Sequence, residues 1–235
     1  MSVTPSEADL QAKARFIEAY FKDLCARITF LEELHGSNHA DEAMLLCCCY
    51  IDGLANNLNV DDPSSHRNFV RVLREHGGEV FLTRVHLKHL RNALDRLRGK
   101  PAQHALEALQ KVSGAMDHEL HPEAAVLALL PSNTPDSVRG WLRNQLWRGT
   151  LACVAYEQLR CLSVHRLGAS GAIIFSNTQL DGNPVPPIDF AVLYRVLWRV
   201  FEVAHDRSIR SNRWFGHDFR AAEPRNAQTE DGEST

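Results

Sequence analysis

The chain has 235 residues, of which 44% are hydrophobic and 23% are charged. These proportions exclude a disordered or fibrous chain, and the length suffices for a packed core without disulfides or a structural metal. The longest apolar stretches fall well short of the roughly 20 residues that a membrane span needs. Residues 1–10 lack the basic and apolar regions of a secretory signal peptide. The sequence therefore predicts a soluble, cytoplasmic protein without a membrane partner.

The predicted helices begin with three strongly periodic segments. The first begins at Thr4-Pro5, with the Thr as N-cap and the Pro at the first helical position, and it ends near Gly36. The second runs to about Leu58 and is apolar nearly all round, so we expect it at the centre of the core. It contains Asp52, which should bond to a neighbouring helix or to an Arg. A third helix begins at Asp62-Pro63 and is closed by a pair of Gly residues.

The second half of the chain continues the helical pattern. Shorter helices are predicted over residues 83–98, 102–112 and 123–130. The longest helix is predicted from Thr134-Pro135 to about His165. A small β-hairpin should follow over 172–188, with a turn at Asp181-Gly182, before a last helix over 189–208. We therefore predict one all-α domain over 1–220 and a disordered acidic tail over 221–235.

The charge is unevenly distributed along the chain. Residues 137–220 contain eleven Arg, no Lys and six acidic residues, whereas residues 221–235 contain four acidic residues and one Arg. Because guanidinium groups suit bidentate contacts with phosphate, this composition favours an RNA or nucleotide partner. A solvated helix face rich in Arg explains the same composition equally well.

Signals for a metal or a cofactor are weak. The six cysteines include the consecutive Cys47, Cys48 and Cys49, which fan out around a helix, and there is no CxxC pair. We interpret them as reduced thiols that pack as small hydrophobes. The residues from Asp117 to His121 cluster beside a Pro, and we interpret them as a solvated loop. The sequence also lacks the Walker, GxGxxG, GxSxG, HExxH and EF-hand signatures, so it predicts no metal and no cofactor.

One Arg–His pair lies in a distinctive context. Arg160 and His165 are separated by four residues near the end of the longest predicted helix, with Tyr156 one turn before the Arg and Gly168 after the His. On a straight helix this spacing turns the two side chains about 140° apart, so the helix should end or distort near Val164. The context matters because six pairs have similar spacing: Arg71–His76, Arg84–His89, Arg98–His104, Arg160–His165, Arg199–His205 and Arg210–His217.

With this motif the chain resembles the HEPN superfamily, whose members are helical bundles with an R-x4-6-H motif late in the chain. The likeness covers about residues 40–205 and includes the early helix with Asp52 and the hairpin before the last helix. The resemblance implies an all-α HEPN-like bundle with a small β-hairpin insertion, assembled as a homodimer that brings two Arg–His pairs together. Many active members have Asn, Asp or His directly after the Arg, where this chain has Cys161.

The resemblance implies a metal-independent endoribonuclease of the toxin or phage-defence type, with an antitoxin protein as a further partner. In that activity His165 would be the general acid–base and Arg160 would hold the phosphate. We name Arg166, Arg148 and Arg143 as further substrate-binding residues. The substrate would be RNA, because cleavage uses the 2′-hydroxyl that DNA lacks.

Three alternatives remain open on the sequence alone. Arg160 could form a structural ion pair with Glu157 or with Asp52, while His165 caps its helix. The protein could be a HEPN-like module without activity that binds a nucleotide, RNA or a partner protein. Cys161 and His165 could also pair as a nucleophile and its base.

The tryptophans beside arginines allow two interpretations. They could stack on bases while the neighbouring arginines contact phosphates. We interpret Trp141 and Trp198 as core residues instead.

Overall fold

The computed structural model describes residues 6–59, 61–112, 115–160 and 172–212. Most of these residues are helical, which confirms the predicted all-α class. His165, Arg166, Cys161, Trp214 and the predicted acidic tail lie outside the described residues. Among the helices that the structure describes, none has the combination of length and apolar character that crossing a membrane requires.

Helices of very different length make up the described chain. They are α1 (Glu7–Gly36), α2 (Ala40–Leu58), α3 (Ser65–His76), α4 (Leu87–Asp95), α5 (Lys100–Gln110), α6 (Glu123–Ala128), α7 (Asp136–Arg143), α8 (Leu151–Ala155) and α9 (Phe190–Ser211). Short 3₁₀ turns lie at Val80–Thr83, Ala115–His118 and Leu146–Gly149. A π-helical turn at Tyr156–Arg160 follows α8 directly.

Short strands form three antiparallel pairs. They are β1 (Val85–His86) with β2 (Leu120–His121), β3 (Ala172–Ile173) with β6 (Ile188–Asp189), and β4 (Gln179–Leu180) with β5 (Asn183–Pro184). The turn between β4 and β5 contains Asp181 and Gly182, both of which have positive φ. The first two pairs join segments that are separated in the sequence, and the third closes the turn at Asp181 and Gly182.

The start of α1 differs from the prediction. The N-cap is Ser6, not Thr4. The Ser6 hydroxyl accepts a hydrogen bond from the Asp9 backbone N–H at 3.2 Å, and the Asp9 carboxylate accepts one from the Ser6 N–H at 3.1 Å. This reciprocal capping box satisfies two backbone donors at once, which stabilises a helix start at Ser6.

Helix α2 lies in the middle of the main core, as its apolar sequence predicts, although Leu46 and Cys49 on its outer face are exposed. This helix packs against α1, α3 and α9. Cys47 and Cys48 are fully buried in this core. Burial raises the pKa of the Cys48 thiol to about 12, so this side chain stays protonated and packs as a small hydrophobe. The interpretation of these two residues as buried thiols is therefore confirmed.

A second cluster of buried side chains lies among α4, α5, α6 and α7. Leu87, Leu90 and Leu142 are fully buried there. Trp141 packs against this cluster, and Trp198 packs against the main core, which confirms the prediction for both. The turn Leu146–Gly149 packs against α4 and leads directly into α8, so it links the two clusters.

The longest predicted helix, from Thr134 to His165, is interrupted in the structure. After α7 ends at Arg143, a 3₁₀ turn ends at Gly149, and Thr150 then begins α8 as its N-cap. The Thr150 hydroxyl donates to the Trp147 carbonyl at 2.7 Å and accepts from the Cys153 N–H at 3.3 Å. Because one threonine satisfies groups on both sides, the break is a stable corner that redirects the chain toward α2 and α3.

Candidate functional site

Three elements converge on the carboxylate of Asp52. Arg160, at the end of the π turn, donates from Nη2 to Asp52 Oδ2 at 2.8 Å. Ser65, the first residue of α3, donates from Oγ to Asp52 Oδ1 at 2.6 Å. The side chains of Arg160 and Asp52 are 22% and 13% exposed, so the pair is shielded but within reach of solvent. Asp52 thus fixes the guanidinium of Arg160 where α2, α3 and the π turn meet.

The ion pair between Arg160 and Asp52 was one of the open alternatives, and the structure confirms that pairing. Glu157, the other proposed partner, instead lies 3.9 Å from the guanidinium of Arg96. An ion pair of this kind both stabilises the bundle and holds a guanidinium in one orientation. The pairing alone therefore does not decide between a structural and a functional role for Arg160.

A row of stacked side chains extends from Arg160. Its guanidinium lies 5.4 Å from the ring centroid of Tyr156, and that ring stacks on the imidazole of His66 at 4.1 Å. His66 meets the indole of Trp147 edge-on at 5.1 Å, and the guanidinium of Arg148 lies 4.6 Å from that indole. The row therefore joins two residues that the sequence singled out, Arg160 and Arg148, through three aromatic rings.

The central residue of this row, His66, was missed by the sequence reasoning. Its Nε2 lies 3.3 Å from Cys153 Sγ. Burial, with the nearby positive charges of Arg148 and Arg67, lowers the pKa of His66 to about 4. The imidazole is therefore neutral at pH 7. Its position in the first turn of α3, after Ser65, was visible in the sequence, but nothing distinguished it from eleven other histidines.

Within the described part of the chain, one group has side chains and spacing suited to a metal ion. Ligand atoms of His66, Cys153 and Glu157 lie within 4.8 Å of one another. Cys153 and Glu157 are one turn apart, and His66 reaches them from α3. The guanidinium groups of Arg67 and Arg148 beside the imidazole oppose a bound cation. That the protein uses no metal stays a prediction.

The cluster from Asp117 to His121 is less solvated than predicted. Asp117 accepts a hydrogen bond from Arg91 Nη2 at 2.6 Å, and this bond lowers the pKa of Asp117. His121 is buried in β2, and its Nε2 lies 3.1 Å from the Met116 carbonyl oxygen. His118 and Glu119 are exposed, as predicted. The cluster is therefore only partly a solvated loop, because Asp117 is bound to Arg91 of α4 and His121 is buried.

Several arginines of the basic segment bind the chain itself. Arg139 donates to the carbonyls of Leu127 and Pro131, at 3.0 and 2.6 Å. Arg207 donates to the carbonyl of Leu58 at 2.9 Å. These bonds favour a structural explanation for part of the Arg enrichment. They also reduce the number of arginines that could serve a phosphate.

The three predicted substrate-binding arginines fall in different places. Arg148 lies in the stacked row and donates from Nε to the Gln145 side-chain oxygen at 2.8 Å. Arg143 is exposed at the end of α7. Arg166, like the predicted catalytic His165, belongs to the part of the chain that the structure leaves undescribed.

Comparison of the chain with protein-family models, with curated proteins and with solved structures finds no match. What the fold establishes is a helical protein with a polar site where α2, α3 and the π turn meet. Membership of the HEPN superfamily stays a prediction from the sequence.

Proposed function

We propose that this protein is a metal-independent endoribonuclease of the toxin or phage-defence type, with Arg160 and His165 as its reacting pair. The observation that supports the proposal most is the network in which Asp52 and Ser65 hold Arg160. A guanidinium that is fixed before substrate arrives needs little reorganisation when charge develops on a phosphate. A toxin of this kind would also have an antitoxin protein as a partner.

The chemistry that we propose needs only groups of the chain and of the RNA. The 2′-hydroxyl attacks the adjacent phosphorus, the bond to the 5′-oxygen breaks, and the products are a 2′,3′-cyclic phosphate and a 5′-hydroxyl. His165 would take or give the proton, since an unperturbed imidazole titrates near pH 6.5. Arg160 would stabilise the charge on the non-bridging oxygens. Tyr156 and His66 would form the aromatic wall beside the phosphate.

A second candidate function is a module that binds RNA or a nucleotide without cleaving it. The ion pair with Asp52 fits this function too, because it orients Arg160 whether or not a bond is cleaved. Cys161 favours it as well, because a thiol is a poor substitute for the polar residue that follows the Arg in many active members.

The two functions are separated by an RNA cleavage assay in the presence of EDTA. We expect the wild type to cleave single-stranded RNA, and we expect Arg160→Ala and His165→Ala each to lose at least about 10²-fold in rate. The matched control is Arg98→Ala, because Arg98 is exposed and belongs to an Arg–His pair of similar spacing. The control should cleave like the wild type. Binding of RNA without cleavage by any variant would favour the module.

Melting temperatures distinguish loss of chemistry from loss of fold. Arg160→Ala removes the partner of a shielded carboxylate, so some destabilisation is expected from that variant. Arg160→Lys keeps a positive charge beside Asp52 but lacks the planar fork of donors. We therefore expect Arg160→Lys to retain most of the stability and to lose most of the activity.

A further inference from the structure

A cleft of about 330 Å³ lies beside the stacked row, between α3 and the segment that follows α7. One wall is the outer face of α3, and the other includes the indole of Trp147. The lining residues with side-chain donors or acceptors are Arg67, Arg71, Arg74, Glu75, Asn144 and Gln145.

The arginines of this cleft form a row along α3. Arg67, Arg71 and Arg74 are spaced four and three residues apart, which places them on one face of the helix. At 1.5 Å per residue the row extends about 10 Å along the axis. A row of this length suits an extended polyanion better than it suits a single phosphate group.

Neutral groups help to orient two of the arginines around the cleft. Arg71 donates from Nη1 to the side-chain oxygen of Asn59 at 2.9 Å, while its Nη2 lies 3.5 Å from Asp62 Oδ2. Arg148 is held by Gln145 and by the indole that lines the cleft. Arg148 is thus oriented by an amide and a ring, whereas the charge of Arg71 is partly offset by Asp62.

Acidic groups offset only part of this charge. Arg74 is paired with Glu123 at 2.6 Å, and Glu75 lies at the rim of the cleft. Arg67 is exposed on the same face of α3. Four arginines (Arg67, Arg71, Arg74 and Arg148) therefore stand against three carboxylates (Asp62, Glu75 and Glu123), and this excess of positive charge favours a phosphate chain.

Packed side chains connect the cleft to the Arg160 site. Trp147 lines the cleft and also meets His66 edge-on, and His66 stacks on Tyr156 beside Arg160. A nucleic-acid strand lying in the cleft would therefore lie at the Trp147 end of the aromatic row, whose other end is Arg160. Aromatic rings beside arginines are the usual means of holding single-stranded nucleic acid without reading its sequence.

We infer that this cleft, with the arginine row of α3 as its wall, binds the phosphate backbone of single-stranded RNA next to the cleavage site. The inference rests on the proposed function and adds the surface along which the substrate lies. We call this surface, formed by the cleft and its arginines, the substrate track. Arg67, Arg71, Arg74 and Arg148 contact phosphates and position the strand, while Trp147 offers a surface to a base. None of these contacts reads a base edge, so binding depends on charge and not on sequence.

The test measures binding to an RNA that cannot be cleaved. Fluorescence anisotropy with a labelled single-stranded 2′-O-methyl RNA gives the affinity over a series of salt concentrations. For single strands the slope of log K against log salt changes by about 0.7 for each phosphate contact. We expect Arg67→Gln and Arg74→Gln each to bind several-fold more weakly and to reduce the slope by about 0.7.

The matched control is Arg27→Gln on α1. Arg27 is 62% exposed and, like Arg74, forms an ion pair with a carboxylate, here Asp23 at 2.8 Å. It should bind like the wild type, since it lies outside the cleft. Unchanged affinity and slope in both cleft variants would overturn the inference, as would tighter binding of duplex DNA than of single-stranded RNA.

Failure of this inference is distinguishable from failure of the proposed function. Binding that depends on Arg67 and Arg74, in a protein that never cleaves RNA, would support the track and refute the nuclease. Cleavage that depends on Arg160, in a protein whose cleft variants bind normally, would support the nuclease and refute the track. The same binding measured on His165→Ala separates the two without interference from cleavage.

Discussion

Arg160 depends on a residue that lies 108 positions earlier in the chain. That Asp52 would bond across the bundle could be predicted, because a single carboxylate within an apolar helix needs a partner. The partner itself could be named only as one of two alternatives. Ser65, which completes the network, gave no signal, because a Ser at the start of a helix is ordinarily explained by capping.

The ion pair should contribute to stability because it is shielded from water. We expect Asp52→Ala to lower the free energy of unfolding by about 1–3 kcal/mol, since it leaves the Arg160 guanidinium without this carboxylate. The matched control is Asp206→Ala, which removes an ion pair of the same 2.8 Å length to Arg210. That pair is 61–78% exposed, so its loss should cost less than about 1 kcal/mol. Urea unfolding of the two variants checks this, and equal losses would mean that the shielding has no energetic effect.

His66 should make the protein sensitive to acid. Its pKa is about 4 in the folded chain and 6.5 in the unfolded chain, so only the unfolded chain takes up a proton between these values. The contribution of His66 is therefore complete above pH 6.5 and is lost as the pH falls toward 4. His66→Phe keeps an aromatic ring against Tyr156 but removes the titration.

Urea midpoints at pH 7 and pH 5 measure this effect. We expect the drop between the two pH values to be smaller in His66→Phe than in the wild type. Part of the drop should persist, because burial also lowers the pKa of His86 to about 4. The exposed His104 serves as the control through His104→Gln, which should leave the pH dependence unchanged. An identical drop in all three proteins would contradict the assignment to His66.

At the scale of elements, the helices with strong periodicity were predictable and the breaks were not. The apolar pattern placed α1, α2, α3 and α9 because each buries one continuous stripe of side chains. The segment from Thr134 to His165 has the same pattern, yet it turns at Gly149 and Thr150. That corner depends on contacts with α4 and β1, which lie about 60 residues earlier. The π turn that presents Arg160 has no local sequence signature of its own.

Two glycines of the predicted long helix should respond oppositely to the same substitution. A Cβ on Gly149 would lie 2.6 Å from Leu90 Cβ and 2.9 Å from Val85 Cγ1, whereas a Cβ on Gly140 meets nothing within 4 Å. We expect Gly149→Ala to destabilise the protein by about 1–3 kcal/mol through overpacking. Gly140→Ala, inside α7, should be neutral or stabilising by up to about 1 kcal/mol. Thermal melts of the two variants check this, and a tolerated Gly149→Ala would show that the corner can relax.

At the scale of the whole molecule, the all-α class followed from the helical periodicity of successive segments. The two clusters of buried residues and the pairing of β1 with β2 did not, because each depends on contacts between distant segments. The strands are two residues long, so no alternating pattern can form within them. The single domain over 1–220 and the homodimer stay predictions.

Assembly is tested by mass in solution. The resemblance to dimeric HEPN proteins leads us to expect light scattering at micromolar concentration to give about twice the 26.5 kDa of one chain. A dimer would bring two Arg160 sites toward one groove. A mass near 26.5 kDa across the concentration range would refute the dimer and would require each chain to hold a complete site.

The central claim is that the chain cleaves RNA by using the neighbouring 2′-hydroxyl. The most direct measurement uses a DNA oligonucleotide with one ribonucleotide, incubated with the purified protein in EDTA. We predict a single cut directly after the ribonucleotide, ending in a 2′,3′-cyclic phosphate by mass spectrometry, and no cut in the all-DNA strand or with Arg160→Ala. Intact oligonucleotide with the wild type, on a sequence that it cleaves as all-RNA, would contradict the account, as would a cut at a deoxynucleotide.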